Sequence, residues 1–191
     1  MLSVLVIDES RSRAGEICAG LALAGYQVAA ILAGSERLSA EVEKLQPDVI
    51  LIDTDSPSRD TLENLAAMHR NMPRPIVIFT QDDGQAMIRD AVKAGVSAYI
   101  VDGLDPRRIK PIIEVARARF EDRQALRREI DEVSRKLSDR KLLDKAKGVL
   151  MKARGIDEDA AYHAMRKLAM ERGQTMAKVA RDVIDMARIL L

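Results

Sequence analysis

The sequence predicts an α/β domain followed by an all-α region, and three observations carry this prediction. Short apolar runs alternate with longer helical patterns from Met1 to about Phe120, which is typical of a parallel sheet covered by helices on both faces. No Gly or Pro occurs between Pro111 and Gly148, which indicates one long helix. No strand pattern follows Leu137. A chain of 191 residues is long enough to bury a core without disulfides or metals.

The first region is predicted to contain five strands and the helices that connect them. The expected strands are Ser3 to Ile7, Gln27 to Leu32, Val49 to Ile52, Ile76 to Phe79 and Ala98 to Val101. The expected helices cover Ser12 to Ala24, Ser35 to Leu45, Ser58 to Asn71 and Gly84 to Ala94, and a fifth begins after Pro106. Strands that alternate with helices in this way predict a doubly wound parallel sheet.

Side chains that can bind metal or phosphate follow four of these strands. Asp8 and Glu9 follow the first strand, Asp53 the third, Thr80 the fourth and Asp102 the fifth. The carboxyl ends of parallel strands meet at one edge of a sheet, so we expect these side chains to converge there. Clustered carboxylates repel one another unless a hard cation such as Mg²⁺ lies among them. The pattern therefore predicts a magnesium site in which one carboxylate can act as a nucleophile towards phosphorus.

This arrangement resembles the receiver domain of bacterial two-component response regulators, over roughly Met1 to Phe120. The resemblance implies a flavodoxin-like fold with a five-stranded parallel sheet. It implies that Asp53 is the phosphoacceptor, that Asp8, Glu9 and Asp53 bind Mg²⁺, and that Thr80 and Tyr99 are the switch residues. It also implies a histidine kinase as a partner. One position departs from the family pattern: Asp102 stands where receivers carry a Lys, and a carboxylate repels phosphate where Lys attracts it. We therefore leave open whether phosphorylation is the controlling input.

The long helix carries two apolar sets that lie in different phases. Ile109, Ile113, Ala116 and Phe120 follow a 4, 3, 4 spacing, and Leu126, Ile130, Val133 and Leu137 repeat it after a gap. The apolar face must therefore rotate along the helix. The second set resembles a short coiled-coil seam and predicts a homodimer, although the charges beside it are equally typical of a solvated helix face.

The C-terminal region is basic. Residues 121–191 carry 17 Lys and Arg against 13 Asp and Glu, whereas residues 1–120 carry 14 against 17. We expect the end of the long helix and two further helices, Asp157 to Arg172 and Thr175 to Leu190, to form a small bundle. The segment from Arg135 to Arg154 contains eight basic residues and only two acidic ones. This excess of positive charge favours a polyanionic partner.

The run Ala146 to Met151, followed by Ala160-Ala161-Tyr162 and Leu168-Ala169-Met170, resembles the ANTAR domain of transcription antiterminators of the AmiR and NasR type, over roughly Ser138 to Leu190. The resemblance implies an all-α three-helix module that binds paired hairpins in leader mRNA. The expected RNA-binding residues are Arg140, Lys141, Lys145, Lys147, Lys152, Arg154 and Tyr162. Residues 1–120 would then form the receiver, 121–137 a coiled-coil linker helix and 138–191 the ANTAR domain.

Within this family, the run Asp102-Gly103-Leu104 is most similar to nitrate and nitrite assimilation regulators of the NasT type. Such regulators are controlled by a nitrate-sensing partner protein that sequesters them. This resemblance implies control by a partner rather than by phosphate at Asp53.

Other functions are less favoured by the sequence. A DNA-binding response regulator would need base-reading side chains in the last helix, where mainly Lys178, Arg181 and Arg188 are available. An enzyme is not expected, because no nucleophile and base pair is recognisable. The uncharged stretch from Ile17 to Ser35 is interrupted by Gly25 and Gln27, so we expect two short elements and no membrane partner. A single cysteine, Cys18, fits the reducing cytoplasm.

Overall fold

The computed structural model describes residues 1–9, 13–101 and 105–190. The chain divides into two compact units, Met1–Gln124 and Ala125–Leu191, which are described separately below. Asp102 and its neighbours Gly103 and Leu104, on which the departure from the receiver pattern rests, lie outside the described residues.

A parallel sheet of five strands forms the centre of the first unit, as predicted. The strands are β1 (Ser3–Asp8), β2 (Gln27–Leu32), β3 (Val49–Asp53), β4 (Ile76–Thr80) and β5 (Ala98–Val101). Their order in the sheet is β2-β1-β3-β4-β5. Three strands are one residue longer than predicted, because Asp8, Asp53 and Thr80 still pair in the ladder. The polar side chains are therefore held by the sheet itself rather than by the loops after it.

Four helices connect these strands: α1 (Ala14–Leu23), α2 (Leu38–Leu45), α3 (Arg59–Asn71) and α4 (Gln85–Lys93). Helix α3 begins where the sequence predicts, because the Ser58 hydroxyl accepts a hydrogen bond from the backbone N–H of Thr61. Helix α2 begins later than the predicted Ser35. Ser35 is buried and its hydroxyl accepts a hydrogen bond from Asn64, so this residue ties the preceding turn to α3 instead of opening the helix.

Alternation along the strands divides the core of the first unit into two layers. Leu5 and Ile7 of β1 point to one face of the sheet, and Val4 and Val6 point to the other. All four side chains are fully buried. Parallel strands buried on both faces read as continuous apolar runs, which is why the sequence marks them so clearly.

Helix α5 (Pro106–Arg154) is a single helix of 49 residues that includes Pro111. Its two apolar sets behave differently, as the change of phase predicts. Ile109, Ile113 and Ala116 are fully buried in the first unit. The second set is more than half exposed: Leu126 58%, Ile130 55%, Val133 60% and Leu137 54%. We refer to these four residues as the seam.

The second unit is a helical bundle made by the end of α5 with α6 (Glu158–Arg172) and α7 (Met176–Leu190). Its core contains Ala146, Met165, Ala169, Val179, Ala180 and Ile184. Asp157 caps α6 by accepting a hydrogen bond from the N–H of Ala160 at 2.7 Å. Gly173 ends α6 in a left-handed conformation with φ 60°, as a helix C-terminus favours. Across the described residues, no helix is both long and apolar enough to span a bilayer.

Candidate functional site

The ends of β1 and β3 bring two buried carboxylates together. Asp8 and Asp53 are paired residues on adjacent parallel strands, and their exposed fractions are 1% and 0%. Thr80, at the end of the neighbouring strand β4, is 1% exposed. Its hydroxyl donates a hydrogen bond to the main-chain oxygen of Asp55 at 2.8 Å and accepts one from the N–H of Asp82. The strand ends therefore bring Asp8, Asp53 and Thr80 to one edge, as predicted from the sequence.

Asp53 has a cationic neighbour that sequence reasoning did not identify. Arg13, which immediately precedes α1, lies with its Nε 3.0 Å from Asp53 Oδ2 and its Nη2 3.1 Å from Asp55 Oδ1. Burial raises the pKa of Asp53, while Arg13 lowers it and the charges of Asp8 and Asp55 raise it further. The net direction is upward, so burial outweighs the ion pair.

Glu9 is directed towards hydroxyl groups. The hydroxyl of Thr54 donates to its Oε2 at 2.7 Å, and the hydroxyl of Thr61, in the first turn of α3, donates to its Oε1 at 2.9 Å. Both carboxylate oxygens of Glu9 are thus engaged on the α3 side. No group of three Asp, Glu, His or Cys side chains with metal-ligand geometry occurs within the described residues. As arranged here, Asp8, Glu9 and Asp53 do not form a three-carboxylate site that fits Mg²⁺, although each is a hard oxygen donor of the right type.

Tyr99 on β5 is turned inward. Its ring packs against the core that contains Leu5 and Ile7, and its hydroxyl donates a hydrogen bond to the main-chain oxygen of Asp82 at 2.9 Å. Burial and the charge of Asp82 raise the pKa of this phenol. Since Asp82 N–H also donates to Thr80, the two expected switch residues are connected through one residue of the β4–α4 loop.

In the second unit, the expected RNA-binding cations divide between two stripes of α5. Lys141, Lys145 and Lys152 are four and seven residues apart and share one side of the helix. Arg140, Lys147 and Arg154 are seven residues apart and share another. All except Lys147 are exposed. We refer to Lys141, Lys145 and Lys152 as the lysine stripe.

Lys147 differs from the other five because it pairs with two carboxylates. Its Nζ lies 2.8 Å from Asp144 Oδ1 on the same helix and 2.6 Å from Glu158 Oε1 in the first turn of α6. Its side chain is only 17% exposed. The two hydrogen bonds raise the pKa of Lys147, so it remains charged. This residue links α5 to α6, and the spacing of Asp144 and Lys147 at i, i+3 is the signal in the sequence that predicts part of this pairing.

Tyr162 on α6 is 41% exposed. Its ring packs edge-on against His163, with the two centroids 5.9 Å apart. Tyr162 is therefore partly accessible, and stacking on a base requires an accessible ring.

The fold and the acidic strand ends define the first unit as a receiver domain of response regulators. The receiver domain family matches residues 4–114, and the ANTAR domain family matches residues 131–184. The chain belongs to the family of response regulators that join a receiver to an ANTAR domain, an RNA-binding antiterminator family whose members are regulators rather than enzymes.

Individual relatives agree with this assignment. The chain is 32% identical over 162 residues to the transcriptional regulatory protein PdtaR of Mycobacterium tuberculosis, covering 84% of this chain and 78% of that protein. It is 34% identical over 83 residues to the nitrate regulatory protein of Klebsiella oxytoca, covering 44% of this chain and 21% of that protein. A CheY-like receiver domain protein from Methanospirillum hungatei superposes with a TM-score of 0.56 at 22% identity, over 64% of this chain and 98% of that one. This last similarity concerns the fold alone.

Proposed function

We propose that this protein prevents transcription termination by binding paired hairpins in leader mRNA through the basic side of α5. The observation that carries the proposal is the exposed lysine stripe, which lies within the part of the chain that matches the ANTAR family. Lys and Arg side chains at helical spacing supply phosphate contacts. Arg140 and Arg154 extend the basic surface on the second stripe, and Tyr162 offers a ring for base stacking.

The first experiment is a gel-shift titration against an RNA that carries two short hairpins, with duplex DNA of the same sequence as competitor. We expect RNA-selective binding that weakens with salt, because phosphate contacts release counterions. Removal of one hairpin should weaken the binding. Equal or stronger binding to duplex DNA would contradict the proposal and favour a DNA-binding response regulator instead.

We also propose that the chain acts as a homodimer joined through the seam. More than half of each seam side chain is exposed, and a spacing of 4, 3, 4 places the four side chains on one side of the helix. A second copy of the same helix is the partner that repeats this spacing. Two ANTAR domains would then be available for two hairpins.

Analytical ultracentrifugation tests the dimer. We expect Val133→Lys to shift the protein towards monomer, because a charge would be buried in the seam. Leu23→Lys is the matched control, since Leu23 on α1 is 87% exposed and lies outside the seam. A dimer that is unaffected by Val133→Lys would show that the seam is not the interface.

The regulated genes and the input are further parts of the proposal. We propose that the regulated genes serve nitrate and nitrite assimilation. The similarity to the nitrate regulatory protein of Klebsiella oxytoca and the resemblance at Asp102 support this proposal. We propose that a nitrate-sensing partner protein sequesters the regulator in the cytoplasm, with a histidine kinase as the alternative partner.

Under this proposal Asp53→Asn leaves RNA affinity largely unchanged. A large loss of affinity in that variant would favour control through the phosphoacceptor Asp53 and the switch pair Thr80 and Tyr99.

Mg²⁺ at Asp8, Glu9 and Asp53 is the cofactor proposed for the receiver unit. Binding at all three carboxylates requires Glu9 to leave the hydroxyls of Thr54 and Thr61, and it places the ion beside the Arg13 guanidinium at Asp53. Loss of the Glu9 hydrogen bonds and the nearby positive charge both oppose Mg²⁺. Calorimetric titration with MgCl₂ tests whether the ion binds, and absence of binding would remove Mg²⁺ from the proposal.

A further inference from the structure

The receiver pocket contains a cation supplied by the chain itself. Arg13 contacts both Asp53 and Asp55 through different nitrogens of its guanidinium, at 3.0 and 3.1 Å. The two contacts use the spread of donors that makes Arg suited to bridging carboxylates. Arg13 is only 29% exposed, and its partner Asp53 is fully buried. A buried carboxylate requires such a partner to remain charged.

The position of Arg13 conflicts with metal binding at the same carboxylate. Asp53 Oδ2 lies 3.0 Å from Arg13 Nε as an ion pair, and within the described residues neither buried carboxylate oxygen of Asp53 accepts a hydrogen bond. A divalent cation bound to Asp53 would lie close to the guanidinium charge, and two like charges in a pocket of low dielectric repel strongly. Arg cannot relieve this repulsion by losing its proton, because its pKa is too high. A divalent cation at Asp53 therefore binds beside the guanidinium charge and loses affinity through this repulsion.

We propose that Arg13 is a built-in counter-ion of the receiver pocket that competes with Mg²⁺ for Asp53. As part of the same chain, Arg13 is always present near Asp53 at a high effective concentration. Its charge opposes a second cation at this carboxylate, so Mg²⁺ binds more weakly than the carboxylates alone would allow. The pocket is thereby charge-balanced without a metal. This role does not depend on which nucleic acid the second unit binds.

The test is calorimetric titration of MgCl₂ into the full chain and its variants at constant ionic strength. We expect Arg13→Ala to bind Mg²⁺ at least about tenfold more tightly than the unmodified chain, because removal of a close positive charge favours a cation strongly. Arg37→Ala is the matched control, since Arg37 also immediately precedes a helix, α2, and is exposed. We expect its affinity to equal that of the unmodified chain. Equal affinities for the unmodified chain and Arg13→Ala would overturn the proposal.

A second measurement does not depend on the stability of a variant. In the unmodified chain, the side-chain Nε–H resonance of Arg13 should shift on saturation with Mg²⁺ and remain in place when NaCl of equal ionic strength is added. A resonance that stays unchanged at saturating Mg²⁺ would overturn the competition while leaving the magnesium site intact. If neither the unmodified chain nor Arg13→Ala binds Mg²⁺, the competition and the magnesium site both fail.

Discussion

Arg13 in the receiver unit and Lys147 in the ANTAR unit are both cations that bridge two carboxylates, but their partners differ. One partner of Arg13, Asp53, is fully buried and the other, Asp55, is 78% exposed, whereas both partners of Lys147 are exposed, at 57% and 66%. A cation beside a buried carboxylate compensates a charge that would otherwise be buried without a partner. A cation between two exposed carboxylates mainly joins two helices. The same type of contact therefore belongs to a ligand pocket in one unit and to the packing of a bundle in the other.

The largest effect on RNA binding should follow from removing the lysine stripe, whose members bridge no pair of carboxylates within the described residues. We expect replacement of Lys141, Lys145 and Lys152 by Ala to weaken RNA binding by at least about tenfold at moderate salt. The slope of log affinity against log salt should fall in magnitude by about 2 to 3, as loss of three phosphate contacts to a hairpin with a paired stem and an unpaired loop implies. Gel shifts over a range of KCl concentrations measure both quantities.

Lys178 on α7 supplies a control for that prediction. It is an exposed lysine paired with Asp182 at 2.8 Å. Lys178→Ala should leave both the affinity and the salt slope unchanged. If it weakens RNA binding as much as the loss of the lysine stripe does, the basic side of α5 has no special role and charge alone determines the affinity.

A smaller effect, of a different kind, is expected for Lys147→Ala. The variant leaves Glu158 without the link to α5, so we expect a fall of a few degrees in the melting temperature of the ANTAR unit, followed by circular dichroism. RNA affinity should fall less than in the lysine stripe variant, because Lys147 is already paired. Unchanged melting together with a large loss of affinity would mean that Lys147 is an RNA ligand, as its position in the motif predicts.

The contrast between these lysines shows how far the sequence can be interpreted. Periodicity places Lys141, Lys145 and Lys147 on one helix, and the helix is where it was predicted. It cannot show that Glu158 lies opposite Lys147, because that contact depends on how α6 packs against α5. In the receiver unit, strand ends predict Asp8, Asp53 and Thr80 because adjacent parallel strands bring them together. Arg13 lies outside any strand, so the direction of its side chain has no periodic signal.

Glu9 is the clearest example of a prediction that depends on more than position. The sequence predicts that Glu9 follows the first strand, and in the structure it directly follows β1. Its carboxylate nevertheless faces Thr54 and Thr61, two hydroxyls supplied by the end of β3 and the start of α3. Competition between hydroxyl donors and a cation for the same oxygens is decided by side-chain geometry. Its role as a metal ligand therefore remains a prediction that the magnesium titration tests.

The smallest effect is expected on folding stability at neutral pH, from the loss of a hydrogen bond between a neutral donor and a carboxylate. The hydroxyl of Tyr26 donates to Glu114 Oε1 at 2.9 Å. Burial, followed by this hydrogen bond and the charge of Glu114, raises the pKa of Tyr26 to about 12. We expect Tyr26→Phe to cost about 1 kcal/mol or less of unfolding free energy at pH 7.

At alkaline pH, the stability of the unmodified chain should depend on pH more strongly than that of Tyr26→Phe. Because the pKa of Tyr26 is higher in the folded state than its ordinary value of 10.0, the folded state holds its proton more tightly. Its contribution to stability is complete below pH 10 and is lost as the pH rises towards 12. Urea unfolding between pH 9 and pH 11 should therefore show a steeper loss of stability in the unmodified chain than in Tyr26→Phe. Parallel curves would show that burial and Glu114 together do not raise the pKa of Tyr26 in the folded state.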